Sequence, residues 1–232
     1  MSAAELGLLH GFEVRVGGRT LDLPISVQRL VAFIALHERP LQRLYVAGSL
    51  WLDSSEERAN ASLRTALWRL CRQCGPLVLV SGNHVALAPE VSVDLQEVRR
   101  QARRVLRHEY LSPDDLDDLC VAGELLPDWY DDWVLIERER FRQLRLHALD
   151  SLCEELTAAG RYAAAIEAGH ASVGAEPLRE SAHRLLVSAY LAEGNPGEAI
   201  RQYRLFRDIL RSELGLEPSP QMERLVVDLP VR

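Results

Sequence analysis

The spacing of apolar residues changes twice along the chain. It starts at a period of two. Leu6–Leu9 is apolar, Phe12–Val16 alternates as Phe, Glu, Val, Arg, Val, and Thr20–Leu23 alternates again. These stretches predict short strands, and Gly17-Gly18 between the last two predicts a hairpin, because both glycines accept positive φ. From Val27 the period lengthens. Val27, Leu30, Val31, Ile34 and Ala35 recur at three and four residues, which predicts an amphipathic helix ending near His37–Pro40. A shorter helix is expected over about Arg43 to Trp51. A third follows Asp53-Ser54-Ser55-Glu56-Glu57, where Ser54 and Glu57 have capping-box spacing, and runs to about Gln73 before Gly75-Pro76. Leu77–Val80 and Val85–Ala88 flank Ser81-Gly82-Asn83-His84 and predict a second hairpin. Strands, three helices and a closing hairpin describe a winged helix-turn-helix over residues 1–93.

From Asp94 onward the pattern is helical. Asp94–Arg107 is an Arg-rich helix, Ser112-Pro113-Asp114 starts another to Ala122, and a long helix follows Leu125–Trp133 and runs to about Ala159. An internal repeat then appears. Gly160-Arg161-Tyr162-Ala163-Ala164-Ala165-Ile166 aligns with Gly194-Asn195-Pro196-Gly197-Glu198-Ala199-Ile200 at an offset of 34, which also pairs Ala148 with Ala182 and Leu152 with Leu186. That is the tetratricopeptide period, in which helix pairs stack to bury a shared face. The expected fold class is therefore mostly α, with an α+β winged helix in residues 1–93 and an all-α tetratricopeptide-like domain in residues 94–232.

Composition narrows the chemistry. All 27 basic residues of this 232-residue chain are Arg, against 34 acids. Without Lys there is no P-loop lysine, no Schiff-base lysine and no kinase-type strand lysine. Residues 1–95 hold nine Arg and nine acids, so the excess of −7 lies wholly in residues 96–232. Cys71-x-x-Cys74 has no matching second pair for a metal, and both are read as small residues on the packed side of a helix; Cys120 and Cys153 are isolated. The seven His form no ligand spacing, and the acid pairs Asp114-Asp115, Asp117-Asp118 and Asp131-Asp132 sit in helical runs as solvated or N-terminal charge. No enzyme, cofactor or metal site is expected. No apolar run approaches the ~18 residues that span a bilayer, and the N-terminus has no signal-peptide pattern, so a cytoplasmic location without membrane partners is expected.

The third helix is where contacts are expected. With Thr65 at the centre of one face, Arg58, Ser62, Arg69 and Arg72 fall within about 60° at 100° per residue, flanked by Arg64 and Trp68. Ala59, Leu63, Leu67, Leu70, Cys71 and Cys74 form the opposite, packing arc. A helix carrying Arg and hydroxyl groups in a line suits the major groove, where an Arg fork binds guanine. Asn83 and His84 in the following hairpin are placed to reach sugar and phosphate, like a wing.

The chain also resembles the AfsR/SARP family of bacterial transcriptional activators, an OmpR/PhoB-type winged helix followed by an all-helical bacterial transcriptional activator domain. Residues 58–70 (Arg-Ala-Asn-Ala-Ser-Leu-Arg-Thr-Ala-Leu-Trp-Arg-Leu), Val93-Asp94-Leu95, Leu125–Trp133 and Glu137-Arg138-Glu139-Arg140 carry the resemblance. So do Ala175-Glu176-Pro177-Leu178-Arg179-Glu180, Tyr203 and Glu213–Pro220, which extends it over nearly the whole chain. It implies a regulator whose protomers bind promoter direct repeats side by side and recruit RNA polymerase and its sigma subunit, and it gives Ser62, Arg64, Thr65 and Arg69 the recognition role. The rival reading is an adaptor whose winged helix binds protein and whose repeats scaffold an assembly.

Overall fold

The computed structural model describes residues 4–75, 77–109 and 113–227. In chain order the elements are β1 (Ala4–Gly7), β2 (Glu13–Val16), β3 (Arg19–Thr20), α1 (Ile25–His37), β4 (Leu41–Gln42), α2 (Arg43–Leu50), α3 (Glu56–Cys74), β5 (Val78–Ser81), β6 (His84–Leu87) and β7 (Val91–Val93). Then come α4 (Asp94–Val105), α5 (Pro113–Val121), α6 (Asp132–Ala158), α7 (Tyr162–Ala175), α8 (Glu180–Glu193), α9 (Pro196–Leu214) and α10 (Pro220–Val226). They form two compact units, Met1–Glu97 with Gly123–Arg138, and Val98–Ala122 with Glu139–Arg232. Among the described residues no helix is long and apolar enough to cross a membrane.

The first unit is a winged helix-turn-helix. Its four-stranded sheet has the order β3-β2-β1-β7, with β1 antiparallel to β2 and parallel to β7. Leu6 and Val14, opposite one another, are both buried. Gly17 and Gly18 take the positive φ that the β2–β3 turn demands, at 57° and 77°. The alternation expected through Leu23 pairs only at Arg19–Thr20, and the apolar stretch Leu6–Leu9 is strand only to Gly7. α1 packs on α2, α3 and β6, burying Val27, Leu30, Val31 and Ile34. The wing, β5–β6, gains a third strand, β4. Asp94 ties the end of the unit to its start: its carboxylate accepts from the backbone N–H of Leu8 (2.9 Å) and Leu9 (2.9 Å). Burial pushes that carboxyl above its ordinary value against the pull of these bonds.

Gly123–Arg138 returns to this unit as a clasp. His10 N–H donates to Glu124 C=O (3.0 Å), Leu126 N–H to Leu8 C=O (2.9 Å), and Leu9 forms a bridge with Leu125. Trp129 stacks on Phe12 at 5.8 Å between centroids, and Trp133 meets Phe33 of α1 edge-on at 5.2 Å. Arg29 of α1 donates to Asp131 through Nε at 3.1 Å. Arg138 holds the clasp together, donating from Nε to Leu125 C=O (2.8 Å) and from Nη2 to the carbonyls of Leu126 and Trp129.

The second unit is helical and shows the repeat. Gly160 and Gly194, 34 apart, end α6 and α8 with φ of +72° and +90° and turn the chain into α7 and α9. α7 packs on α8, α8 on α9, and α10 closes the stack on both, sharing a core of Val187, Ala199, Phe206, Leu210, Met222 and Val226. A Cβ on Gly169 of α7 would lie 3.2 Å from Leu186 Cβ, so this position is small because two helices meet there. Asp150 is a polar hub, accepting from Ser172 Oγ (2.8 Å), Ser181 Oγ (3.0 Å) and Arg179 Nε (3.0 Å). His183 is fully buried between Pro177 C=O (2.9 Å) and the Gln202 amide (2.8 Å), and burial lowers its pKa. The Ser112 helix start lies outside the described residues.

Candidate nucleic-acid interface

α3 is built as a two-faced helix. Ala59, Leu63, Ala66, Leu70 and Cys74, spaced at three and four, are its buried residues. Glu56 and Glu57 in the first turn complement the helix dipole. The Ser54–Glu57 capping box does not form; Ser55 is the N-cap and its side chain accepts no cap bond. Gly75 ends the helix at φ +68°.

The packed arc differs from the expected one in rotation. Leu67 is only half-buried and Cys71 is exposed, whereas Ala66, absent from the expected arc, is buried. At 100° per residue the buried set centres about 140° from Thr65 rather than 180°, which turns Cys71 into solvent. The solvent face therefore centres nearer Trp68 and Arg72. Arg58, Arg64, Thr65, Trp68, Arg69 and Arg72 are all exposed, while Ser62 is half-buried at one margin. Trp68, placed by the sequence pattern as a flank, is 58% exposed and carries the Arg72 guanidinium 4.8 Å above its ring.

Each exposed group keeps binding capacity. Arg58, Arg64 and Arg69 pair with no acid among the described residues. Thr65 Oγ1 donates to Ala61 C=O (3.0 Å), leaving its oxygen as an acceptor. From Arg58 to Arg72 the face runs ~20 Å along the axis at 1.5 Å per residue. Burial pushes the Cys74 thiol up to about 11, which disfavours the thiolate that nucleophiles and metal ligands require.

Asn83 and His84 do not sit on this helix. Both are exposed on the β5–β6 hairpin, whose turn places Gly82 at φ +55°. The Arg43 N–H donates to Asn83 C=O at 2.8 Å, tying the wing tip to the first residue of α2. Sequence reasoning missed Arg43 because its contribution is a main-chain bond, which leaves no side-chain signature.

Residues 121–229 match the family model described as the bacterial transcriptional activator domain. The regulatory protein AfsR of Streptomyces coelicolor is 30% identical over 240 residues, covering 96% of this chain and 24% of that protein. The transcriptional regulator RedD of the same organism is 36% identical over 84 residues, covering 36% of this chain and 24% of RedD. The chain is thus similar to regulators of the AfsR/SARP family. It spans about a quarter of the length of AfsR (24%). The solved structure of Mycobacterium tuberculosis EmbR, in complex with a low affinity phosphopeptide, shares the fold with a TM-score of 0.71 at 20% identity, covering 97% of this chain and 64% of that one.

The AfsR/SARP motifs occupy defined places in this chain. Residues 58–70 form most of α3, and Asp94 of the Val-Asp-Leu motif binds the end of β1. Leu125–Trp133 and Arg138 make the clasp. Arg179 of the Ala175–Glu180 motif reaches the Asp150 hub. One face of the first motif is exposed, whereas Asp94, Arg138 and Arg179 of the others bind within the protein; the Glu213–Pro220 motif is also largely exposed.

Proposed function

We propose that this chain is a sequence-specific DNA-binding transcriptional regulator of the activator type. α3 enters the major groove, with Arg69, Arg64, Thr65 and Ser62 toward base edges and Arg58, Trp68 and Arg72 alongside. Asn83 and His84 of the wing meet the sugar-phosphate backbone. The observation that carries this reading is the solvent face of α3, with Arg58, Arg64 and Arg69 free of acidic partners among the described residues. An Arg held in an internal ion pair would first have to leave it; these need not. The second unit, where the whole negative excess lies, serves protein contacts, with RNA polymerase and its sigma subunit as partners, while protomers sit side by side on direct repeats.

A footprint of the purified protein on the region upstream of its own gene, repeated across a salt series, tests the reading. A protected, salt-sensitive site is the expected result. An adaptor that uses its winged helix on protein would give no salt-dependent duplex binding.

A further inference from the structure

We infer that Trp68 and Arg72 form a preset phosphate clamp, in which the indole is a positioning residue for the guanidinium; this rests on the DNA-binding reading above. The two residues are four apart on α3, one turn along and about 40° round the axis at 100° per residue. Long side chains on a helix lean back over the preceding turn. Arg72 does so, and its Cζ stands 4.8 Å from the centroid of the Trp68 ring. Trp68 is 58% exposed, so its ring lies mostly outside the core and offers a face to that cation. From Arg58 to Gly75 the chain has no acid, and Arg72 pairs with none among the described residues.

The stack decides what Arg72 can reach. A guanidinium laid against a ring keeps its five N–H donors free at the edge, because stacking uses only its face. That edge suits a phosphate, which takes two parallel N–H bonds. An arginine loose on a helix surface loses rotamer freedom when it meets an anion, and one already held on a ring has less to lose. A base contact fits the same geometry poorly. Base edges lie at the floor of a groove ~8.5 Å deep and call for a side chain extended away from the helix. Arg72 is folded back along its own helix and meets what stands beside it, which in a groove is the sugar-phosphate wall. Trp and Arg are also the residue types of protein hot spots, but here they share a face with Arg58, Arg64 and Arg69, none paired with an acid among the described residues. That surplus of positive charge favours a polyanion. Arg72 thus adds affinity without choosing a sequence, and Trp68 acts through it.

The test uses the full chain with a mixed-sequence duplex and with the upstream region, each titrated by fluorescence anisotropy over a salt series. Arg72→Gln should lower the slope of log affinity against log salt by ~0.9 on both duplexes, the value of one phosphate contact. Trp68→Leu should weaken binding to both by about 2–5-fold, the range of an exposed cation–π contact. Trp68→Phe, which keeps a ring face, should recover most of that loss. In the Arg72→Gln background, Trp68→Leu should have almost no further effect. Thermal midpoints should stay at the parent value, since both side chains are exposed. Losses that add in the double variant overturn the positioning role, and an unchanged slope for Arg72→Gln overturns the phosphate contact. An Arg72→Gln variant weakened on the upstream region alone marks a base reader, which also overturns the clamp. If Arg69→Ala meanwhile loses its preference for the upstream region, the DNA-binding reading survives these failures. A parent chain that shows no salt-dependent duplex binding fails both. Variants that keep the DNA slope but lose binding to purified polymerase show the pair to be a protein contact, which overturns the proposal.

Discussion

Replacing Arg138 by alanine removes one guanidinium and, with it, the partner of three main-chain carbonyls. Leu125 and Leu126 are fully buried, and the Leu126 carbonyl keeps a second donor in the Trp129 N–H at 3.0 Å, so the Leu125 carbonyl bears most of the loss. A hydrogen bond to a charged group contributes ~1.5–3 kcal/mol, and a buried acceptor left without a donor costs ~1–3 kcal/mol. The three bonds share one donor and are not additive, which brings the expected loss to ~3–5 kcal/mol, the usual cost of removing one side of a buried charged network. The Glu124 ion pair adds little, because that side chain is 57% exposed. Set against a typical domain stability of ~5–15 kcal/mol, the change takes a large share of what holds the first unit folded. The four Trp of the chain, at 51, 68, 129 and 133, all lie in that unit. Tryptophan fluorescence in a urea titration therefore follows the first unit alone, while far-UV circular dichroism is dominated by the helices of the second. Arg138→Ala should move the fluorescence transition to lower urea and leave most of the dichroism transition in place. Arg138→Lys, which retains the charge but not the fork, should fall between the two. A fluorescence midpoint equal to that of the parent would refute the clasp as a structural support.

Leu63→Ala, at a fully buried position on α3, should lower the stability of the first unit by ~2–5 kcal/mol. Arg69→Ala on the exposed face should leave stability within ~0.5 kcal/mol and weaken specific DNA binding by ~1–3 kcal/mol in a gel-shift titration at fixed salt. Equal binding by Arg69→Ala and parent would remove Arg69 from the reading face. His183 is held neutral, because burial lowers its pKa below the ordinary ~6.5. The unfolded chain then takes up the proton first, so the contribution of His183 is whole above about pH 6.5 and is lost as the pH falls below that value. Unfolding free energy measured from pH 7.5 downward should decline more steeply for the parent than for His183→Gln, and equal slopes would reject this account. If protomers bind direct repeats head to tail, half-sites lie about 10–10.5 bp apart; inserting half a turn should abolish cooperative binding and a full turn should partly restore it. A footprint indifferent to that spacing contradicts the side-by-side arrangement.

Much of the fold is legible because its elements are long enough to show a period. α1 and α3 carry their apolar residues at three and four, and the glycines at 160 and 194 recur with matching flanks. β4 and β7 are two and three residues long, too short for any alternation to appear, and each becomes a strand only because a partner lies beside it. Leu125–Trp133 was readable as a motif but not as a clasp. Its partners Leu8, Phe12, Arg29 and Phe33 stand about a hundred residues earlier, and nothing local marks that pairing. The rotation of α3 has a similar origin. Cys71 and Ala66 flank the packed arc and are both small and apolar, so only the neighbouring α1 and α2 decide which of them is buried.

The candidate site was harder to separate from the scaffold, because this chain uses one residue type for both. With no Lys, every positive charge is a guanidinium, and its planar fork serves a main-chain carbonyl as readily as a phosphate. Arg138 and Arg145 spend that fork inside the protein, Arg145 on the carbonyls of Leu119 (3.0 Å) and Cys120 (2.7 Å). Arg29 and Arg179 spend theirs on Asp131 and Asp150. Charge arithmetic counts all of these with Arg64 and Arg69 and so reports a nearly neutral head and an acidic remainder. The distinction lies in what each guanidinium already touches. On α3 the apolar spacing turns Arg64 and Arg69 outward, away from any acid among the described residues, and their five N–H donors each remain open to a partner. The surface proposed to meet DNA is thus set less by how many Arg the head carries than by which of them the fold leaves unspent.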